Sequence, residues 1–271
     1  MKFSIFVAYK PFAMKKLFLS AIVLMAVISC KQQPAGPQVV AHRGYWDIEG
    51  SAQNSLEALR QAGEHGFYGS EFDVNLTSDD VLVVNHDFTF HDILIAENTY
   101  EAIKDSTLAN GEVIPTLDSY LDLFCEYPDL QLVFELKSEG DSAYEARAIP
   151  LLIEKLEQRN LTERTDFISF SLTACQEMAR RIPAMMVEYL GGEIAPAELK
   201  EMGINGIDYH YTVFEKHPEW VEEAHSLGMI CNAWTVNKEE QITEMLDMGV
   251  DFITTNAPEL AEQLIAGRSA K

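Results

Sequence analysis

Basic residues are scarce in this chain of 271 residues. Twenty lysines and arginines face 43 aspartates and glutamates, which gives a formal net charge of −23. Such an acidic surface repels nucleic acid and anionic membranes, so neither is expected as a direct partner. It would repel any anionic ligand as well, unless the binding site supplies a cation and a few well-placed basic side chains.

Cysteine is also scarce, with four residues at irregular spacing. No pair has the short spacing of a zinc site, and the three cysteines that follow Cys30 are an odd number that does not predict a disulfide framework. Cys125, Cys175 and Cys231 are therefore expected to be small residues of the core.

The apolar run at residues 17–28 is too short to span a bilayer, which requires about 20 apolar residues. It follows Lys15 and Lys16 and has the length of the apolar part of a secretion signal. The end of the run, at Ser29-Cys30, resembles the lipobox of bacterial lipoproteins, in which the cysteine carries the lipid. The alternative, a buried core helix, is disfavoured by the polar segment with proline and glycine that follows.

These features predict a lipoprotein-type signal peptide at residues 1–29, lipidation of Cys30 and a linker at residues 30–37. The protein is then expected to be exported and held in the bacterial cell envelope, with the lipid anchor as its only membrane contact. Because residues 1–29 hold four lysines and no acidic residue, their removal lowers the formal charge from −23 to −27.

From residue 38 onward, short apolar runs alternate with helical patterns. This alternation predicts an α/β fold of the (βα)₈ TIM-barrel type that occupies residues 38–271 as one domain, without internal repeats. The expected strands are 39–42, 70–75, 130–137, 166–170, 185–190, 206–209, 230–236 and 251–254. The expected helices are 55–65, 117–126, 143–159, 172–181, 196–202, 219–227, 239–248 and one that follows Pro258.

One apolar segment, residues 81–86, breaks the alternation. It begins only a few residues after the second strand ends, whereas a parallel crossover needs a dozen or more residues. It is therefore predicted to be the return arm of a β-hairpin that turns near Asp79 and brings His86 back beside Asp73. Residues 87–115 are expected to form a small insertion near the site.

Polar residues at the carboxyl ends of barrel strands are the ones to consider for function. Glu71 and Asp73 are two positions apart, so both point to one face of their strand, and Glu135 lies on the next barrel strand. Three buried carboxylates would repel one another, and a hard divalent cation would relieve that repulsion. All-oxygen ligands predict Mg²⁺ or Ca²⁺ rather than zinc.

Titratable and basic side chains are predicted to surround these carboxylates. His42 ends the first strand and His86 ends the hairpin, and two histidines of near-neutral pKa suit general acid–base chemistry on a phosphodiester. Arg43 offers a bidentate fork to phosphate oxygens and Lys137 offers a point charge. Gly44 is expected to leave room for close approach of a ligand.

Six motifs, spread in a fixed order over about residues 40–258, resemble those of a known protein family. They are Ala41-His42-Arg43-Gly44, Gln53-Asn54-Ser55, Glu71-Phe72-Asp73-Val74, Val83-Val84-Asn85-His86-Asp87, Phe134-Glu135-Leu136-Lys137 and Ala233-Trp234-Thr235-Val236-Asn237. Their order and spacing resemble those of the glycerophosphodiester phosphodiesterase family. The resemblance implies a barrel with a divalent metal that cleaves deacylated phospholipids to an alcohol and glycerol 3-phosphate.

The resemblance also implies roles for individual positions. His42 and His86 match the catalytic pair, the three carboxylates match the metal ligands, and Arg43 and Lys137 match phosphate-contacting positions. Trp234 matches an aromatic residue near the substrate. The family's usual Glu-Asn-Thr is Gln53-Asn54-Ser55 here. Gln53 and Asn54 are therefore expected beside the metal ligands, and the glutamine removes the one negative charge that the family's glutamate would carry.

Three questions stay open on sequence alone. The attacking group is either water or the glycerol 2-hydroxyl. The enzyme is either a phosphodiesterase of small soluble substrates or a phospholipase for intact lipid, and the second would expose an apolar rim along residues 88–95. The third question is whether the protein is an enzyme at all or a binding module without catalytic activity, although a binding module would not need both histidines and all three carboxylates.

Overall fold

The computed structural model describes residues 36–138 and 140–269. The expected signal peptide, Cys30 and nearly all of the expected linker lie outside these ranges. Within them, no helix is at once long enough and apolar enough to cross a membrane.

The described residues form eleven strands and nine α-helices. The strands are β1 (Gln38–Ala41), β2 (Gly69–Leu76), β3 (Leu82–Val84), β4 (Thr89–Phe90), β5 (Ile93–Leu94), β6 (Gln131–Leu136), β7 (Thr165–Ser169), β8 (Met186–Tyr189), β9 (Gly206–His210), β10 (Ile230–Trp234) and β11 (Phe252–Thr255). The helices are α1 (Leu56–His65), α2 (Leu117–Phe124), α3 (Ser142–Gln158), α4 (Leu172–Arg181), α5 (Pro196–Glu201), α6 (Tyr211–Lys216), α7 (Glu219–Ser226), α8 (Glu239–Met248) and α9 (Pro258–Ser269).

Eight of the strands close into a parallel barrel. They pair in the order β1, β2, β6, β7, β8, β9, β10 and β11, and β11 pairs back with β1. The predicted (βα)₈ barrel is therefore confirmed. Helix α6 was not predicted; it begins directly after β9, where the His210 side chain accepts a hydrogen bond from the Thr212 backbone N–H.

Local sequence signals explain the helix that packs beside the first two strands. The Ser55 side chain caps α1 by accepting from the Ala58 backbone N–H, and Gly66 ends the helix in the left-handed conformation. Leu59 and Ala62 lie on its buried face. The turn between β1 and α1 is thus held at a defined place over the barrel end.

The predicted hairpin is also present. Strand β3 runs antiparallel to β2 with Val74 opposite Val84, and the Asn85 backbone N–H donates to the carbonyl of Asp73 at 3.1 Å. His86 therefore lies at the carboxyl end of β2. The insertion that follows has an apolar cluster of its own, formed by Val83, Phe90, Ile95, Ile103 and Ile114.

The barrel interior is filled by side chains below the carboxyl ends of the strands. Its apolar part consists of Val40, Val133, Ile168, Leu190, Ile230 and Phe252. A larger apolar layer lies between the sheet and the helices. Because the interior is packed, a ligand can reach the inward-facing polar groups from the carboxyl end, as in other barrels of this kind.

Gly44 has a different role from the one expected. It has φ +78°, and a Cβ built on it would lie 2.7 Å from the Ala58 Cβ of α1. The close approach of α1, and not space for a ligand, is therefore what a larger side chain would disturb. Glycine is required here because it satisfies both the backbone conformation and the close approach of α1.

This geometry predicts the relative stability of two glycine variants. Gly66 has φ +85° and would place its Cβ in open space, so Gly66→Ala carries only the backbone strain, about 1 kcal/mol of unfolding free energy. Gly44→Ala adds the overlap with Ala58 and should lower the unfolding free energy by about 3 kcal/mol. Urea unfolding of both variants checks this, and equal losses would refute the helix contact as the cause.

Candidate active site

Three carboxylates meet at the carboxyl ends of β2 and β6. Glu71 and Asp73 lie on the inward face of β2, and Asp73 pairs in register with Glu135 of β6. Each of the three offers an oxygen within 4.8 Å of the other two. Their exposed fractions are only 4%, 1% and 8%, so water screens their charges poorly. The sequence-predicted metal ligands thus form one compact, buried group.

Burial, and then the charges of neighbouring carboxylates, disfavour the charged forms of Glu71 and Glu135. Burial, followed by the charges of Asp73 and Glu135, raises the pKa of Glu71 well above its usual value. Burial and the charge of Asp73 raise the pKa of Glu135 to about 7. A group of oxygen donors under such repulsion is suited to a hard divalent cation, which favours the deprotonated forms.

Two basic side chains offset part of the negative charge. Lys137 Nζ lies 2.8 Å from Glu135 Oε1 and 3.5 Å from Asp73 Oδ1, and Arg43 Nε lies 3.7 Å from Asp73 Oδ2. Burial alone would lower the pKa of Lys137, but the charges of Glu135 and Asp73 raise it above its usual value. Lys137 is therefore a permanent cation at the site.

Arg43 is held in an unusual backbone conformation at the turn after β1. Its φ is +57°, and its backbone N–H donates to Glu71 Oε2 at 2.8 Å. Its guanidinium Nη1 donates to Gln53 Oε1 at 2.5 Å. Gln53, which was expected beside the metal ligands, therefore contacts the arginine and orients its fork.

Asn54 contacts both the carboxylate and the backbone of Asp73. Its Nδ2 donates to Asp73 Oδ2 at 2.9 Å, and its Oδ1 accepts from the Asp73 backbone N–H at 3.1 Å. Asn54 is 2% exposed and has φ +60°, a conformation that asparagine tolerates better than most residues. The amide thus sets the direction of one carboxylate of the group.

His42 lies just beyond the end of β1 and faces the carboxylates. Its Nδ1 is 2.7 Å from Asn256 Oδ1, which also accepts from the Trp46 indole N–H at 3.2 Å. Because indole is only a donor, Asn256 must present its oxygen here, so His42 Nδ1 carries the hydrogen. The other nitrogen, Nε2, keeps a lone pair 3.9 Å from Glu71 Oε2.

The surroundings of His42 favour its neutral form. Burial, and then the charge of Arg43, lower the pKa of His42 to about 4. Asn256, which orients the ring, was not predicted, although it follows directly after β11 at the same barrel end as the other polar residues. Position at a strand end was the signal that could have identified it.

His86 has a different environment. It is half-buried, and its Nδ1 is 2.7 Å from the carboxylate of Asp87. Burial lowers the pKa of His86, the carboxylates of Asp73 and Asp87 oppose this, and Lys137 and Arg43 add to it. Since Asp87 accepts from Nδ1, the Nε2 nitrogen is the one available to a ligand.

A cavity of about 250 Å³ joins these groups to an apolar wall. Both histidines, Arg43, Lys137, Glu71 and Glu135 line one part of it, and Ile168, Phe170, Leu190 and Trp234 line the rest. The Trp234 indole N–H donates to the backbone carbonyl of Asp208, and the unpredicted Asp208 lines the cavity as well. All the sequence-predicted catalytic residues, basic residues and Trp234 thus face one space.

The insertion does not form the apolar rim that a phospholipase would require. Phe88 is 37% exposed, but Phe90 and Ile95 are 7% and 0% exposed because they belong to the insertion's own cluster. Ile93 and Leu94 are half-buried. A single exposed aromatic side chain is ordinary for a soluble surface.

Comparison with known proteins agrees with this geometry. The glycerophosphoryl diester phosphodiesterase family model matches residues 42–260. A glycerophosphodiester phosphodiesterase of Caldanaerobacter subterraneus subsp. tengcongensis is 30% identical over 244 residues, which cover 84% of this chain and 97% of that protein.

Solved structures give the same result. A glycerophosphodiester phosphodiesterase from Parabacteroides distasonis has a TM-score of 0.85 and 47% identity, covering 86% of this chain and 98% of that one. An Oleispira antarctica phosphodiesterase in complex with the product sn-glycerol-3-phosphate has a TM-score of 0.71 and 26% identity, with coverage of 85% and 97%. The chain therefore belongs to the glycerophosphoryl diester phosphodiesterase family and is an enzyme of that class.

Proposed function

We propose that the chain hydrolyses glycerophosphodiesters to an alcohol and glycerol 3-phosphate, with a divalent cation, Mg²⁺ or Ca²⁺, held by Glu71, Asp73 and Glu135. The observation that carries the proposal is that these three buried carboxylates form one group, two members of which, Glu71 and Glu135, line a cavity together with both histidines. The names of the relatives and the glycerol 3-phosphate bound to the Oleispira enzyme support the substrate class. The buried apolar side chains of the insertion favour this activity over that of a phospholipase.

The residues present fit such a cation. The donor set is entirely oxygen, it is buried, and the raised pKa values of Glu71 and Glu135 indicate that the group lacks sufficient positive charge of its own. When bound, the cation would polarise the phosphoryl oxygens and neutralise part of the negative charge of the substrate. Asn54 would keep Asp73 directed toward it.

Arg43 and Lys137 bind the phosphate in this proposal. The Arg43 guanidinium is already oriented by Gln53, and Lys137 lies over Glu135 and Asp73 in the same cavity. Together they attract an anionic substrate to a protein whose overall charge repels it. A rigid arginine fork also fixes the orientation of the phosphate for displacement of the alcohol.

The environments of the two histidines suggest separate roles. His42, with its pKa lowered to about 4 and a lone pair on Nε2, acts as the general base that removes the proton of the attacking hydroxyl group. His86, whose Nδ1 contacts the Asp87 carboxylate, acts as the general acid that protonates the leaving alcohol from Nε2. Either water or the glycerol 2-hydroxyl can supply the attacking oxygen in this arrangement.

Metal removal tests the first part of the proposal. EDTA should abolish hydrolysis of glycerophosphocholine, and excess Mg²⁺ or Ca²⁺ should restore it. Glu71→Gln should lower activity about 100-fold or more, because one ligand charge is lost. The same variant without metal should melt at a higher temperature than metal-free wild type, since one repelling carboxylate is gone, and should gain less stability when the metal is added.

Glu244→Gln, on an exposed position of α8, is the matched control for this experiment. It removes one acidic charge outside the cavity and should change neither activity nor the metal-induced rise in melting temperature. Full activity of the EDTA-treated enzyme would show that the proposed metal mechanism is wrong.

Leaving-group dependence tests the roles of the histidines. His42→Ala and His86→Ala should each reduce hydrolysis of glycerophosphocholine about 1,000-fold while the protein stays folded. With glycerol p-nitrophenyl phosphate, whose leaving group needs no protonation, His86→Ala should regain most of its activity and His42→Ala should not. His217→Ala, at a partly exposed histidine outside the cavity, serves as control. Equal recovery of both variants would contradict the assignment.

We also propose that residues 1–29 direct export and that Cys30 carries the lipid anchor in the bacterial envelope. The support is the sequence alone: two lysines, an apolar run and a lipobox-like end. In bacteria that express the full chain, Cys30→Ala should abolish palmitate labelling and move the protein from the membrane to the soluble fraction, with unchanged turnover. Wild-type protein that takes up no labelled lipid would refute this proposal.

A further inference from the structure

One buried polar group of the cavity takes no part in the proposed chemistry. Asp208 lies in the middle of β9 with its side chain among the residues that line the cavity, and it is 1% exposed. Its Oδ1 has no hydrogen-bond partner among the described residues. A buried carboxyl oxygen without a partner is unfavourable, so its presence requires an explanation.

The fold itself gives no such explanation. The Trp234 indole N–H contacts the backbone carbonyl of Asp208 rather than its carboxyl group. Thr254, another polar residue of the cavity, exchanges hydrogen bonds with Asn232 through its hydroxyl. The apolar residues Ile168 and Leu190 line the same space and offer no donor. A ligand in the cavity could supply the hydrogen-bond donor that these residues do not supply.

The shape of the site indicates which part of a ligand reaches Asp208. Arg43 and His86 line both the 250 Å³ cavity and an open cleft of about 660 Å³ on their other side. A phosphodiester has two substituents on one phosphorus, so one of them can lie in each space. The open cleft has room for the variable alcohol, whereas the small cavity has room for a short substituent that can reach Asp208.

We propose that Asp208 hydrogen-bonds to a hydroxyl of the glycerol moiety and thereby selects substrates whose glycerol is free of acyl chains. This inference rests on the proposed function, because it assigns to Asp208 the recognition of the glycerophosphodiester substrate. An acyl ester at that hydroxyl removes the donor and requires space that the small cavity lacks. Sites built around a buried polar group reject analogues that leave the group unpaired.

Calorimetric titration of the full-length protein with Mg²⁺ present tests the inference without turnover. Glycerol 3-phosphate should bind wild type about 30-fold more tightly than propyl phosphate, which has the same carbon chain without hydroxyls. In Asp208→Leu the two ligands should differ by less than about 3-fold, through weaker binding of glycerol 3-phosphate alone. Asp208→Asn, which keeps polar atoms in place, should retain most of the preference.

Several outcomes would overturn the inference: no preference in wild type, an unchanged preference in Asp208→Leu, or equal weakening of both ligands. If Asp208→Leu does not fold, a crystal structure of wild type with glycerol 3-phosphate decides. A glycerol hydroxyl within about 3.2 Å of the Asp208 carboxyl supports the inference, and a carboxyl turned away from the ligand refutes it. Turnover of glycerophosphocholine by wild type tests the proposed function separately, so the two failures are distinguishable.

Discussion

Mutual repulsion among three buried carboxylates is the constraint on which the site depends. Glu71, Asp73 and Glu135 cannot all stay charged at such short range unless positive charge or hydrogen-bond donors compensate. The chain supplies part of that compensation through Lys137, Arg43 and the amide of Asn54. The pKa of Glu71 nevertheless stays raised, first through burial and then through the charges of Asp73 and Glu135, and this supports the proposal that the group holds a divalent cation.

The same constraint explains how so acidic a protein can handle a phosphodiester. Positive charge is concentrated at the proposed phosphate site, on two side chains that the carboxylates themselves hold in place. Arg43 is positioned further by its backbone, since its N–H donates to Glu71 while its guanidinium contacts Gln53. Each basic group is thus oriented by an acidic or amide partner, which reduces the freedom lost when the phosphate binds.

Much of the fold follows from sequence periodicity and chain length. Alternating runs predicted the eight barrel strands, and the short distance between β2 and β3 excluded a parallel crossover and predicted the hairpin. The period of two placed Glu71 and Asp73 on one face. Contacts that depend on distant segments were not accessible in this way: Asn256 is 214 positions from His42, and nothing local to either residue indicates the pairing.

The outcome at three individual positions shows the same limit. Gln53 was identified by its place in a motif, but its contact with Arg43 depends on the left-handed turn after β1. Gly44 was identified as permissive, but its neighbour proved to be Ala58 of α1. No role could be predicted for Asp208 from the sequence, because the groups around a lone carboxylate in an apolar strand are known only once the barrel has closed.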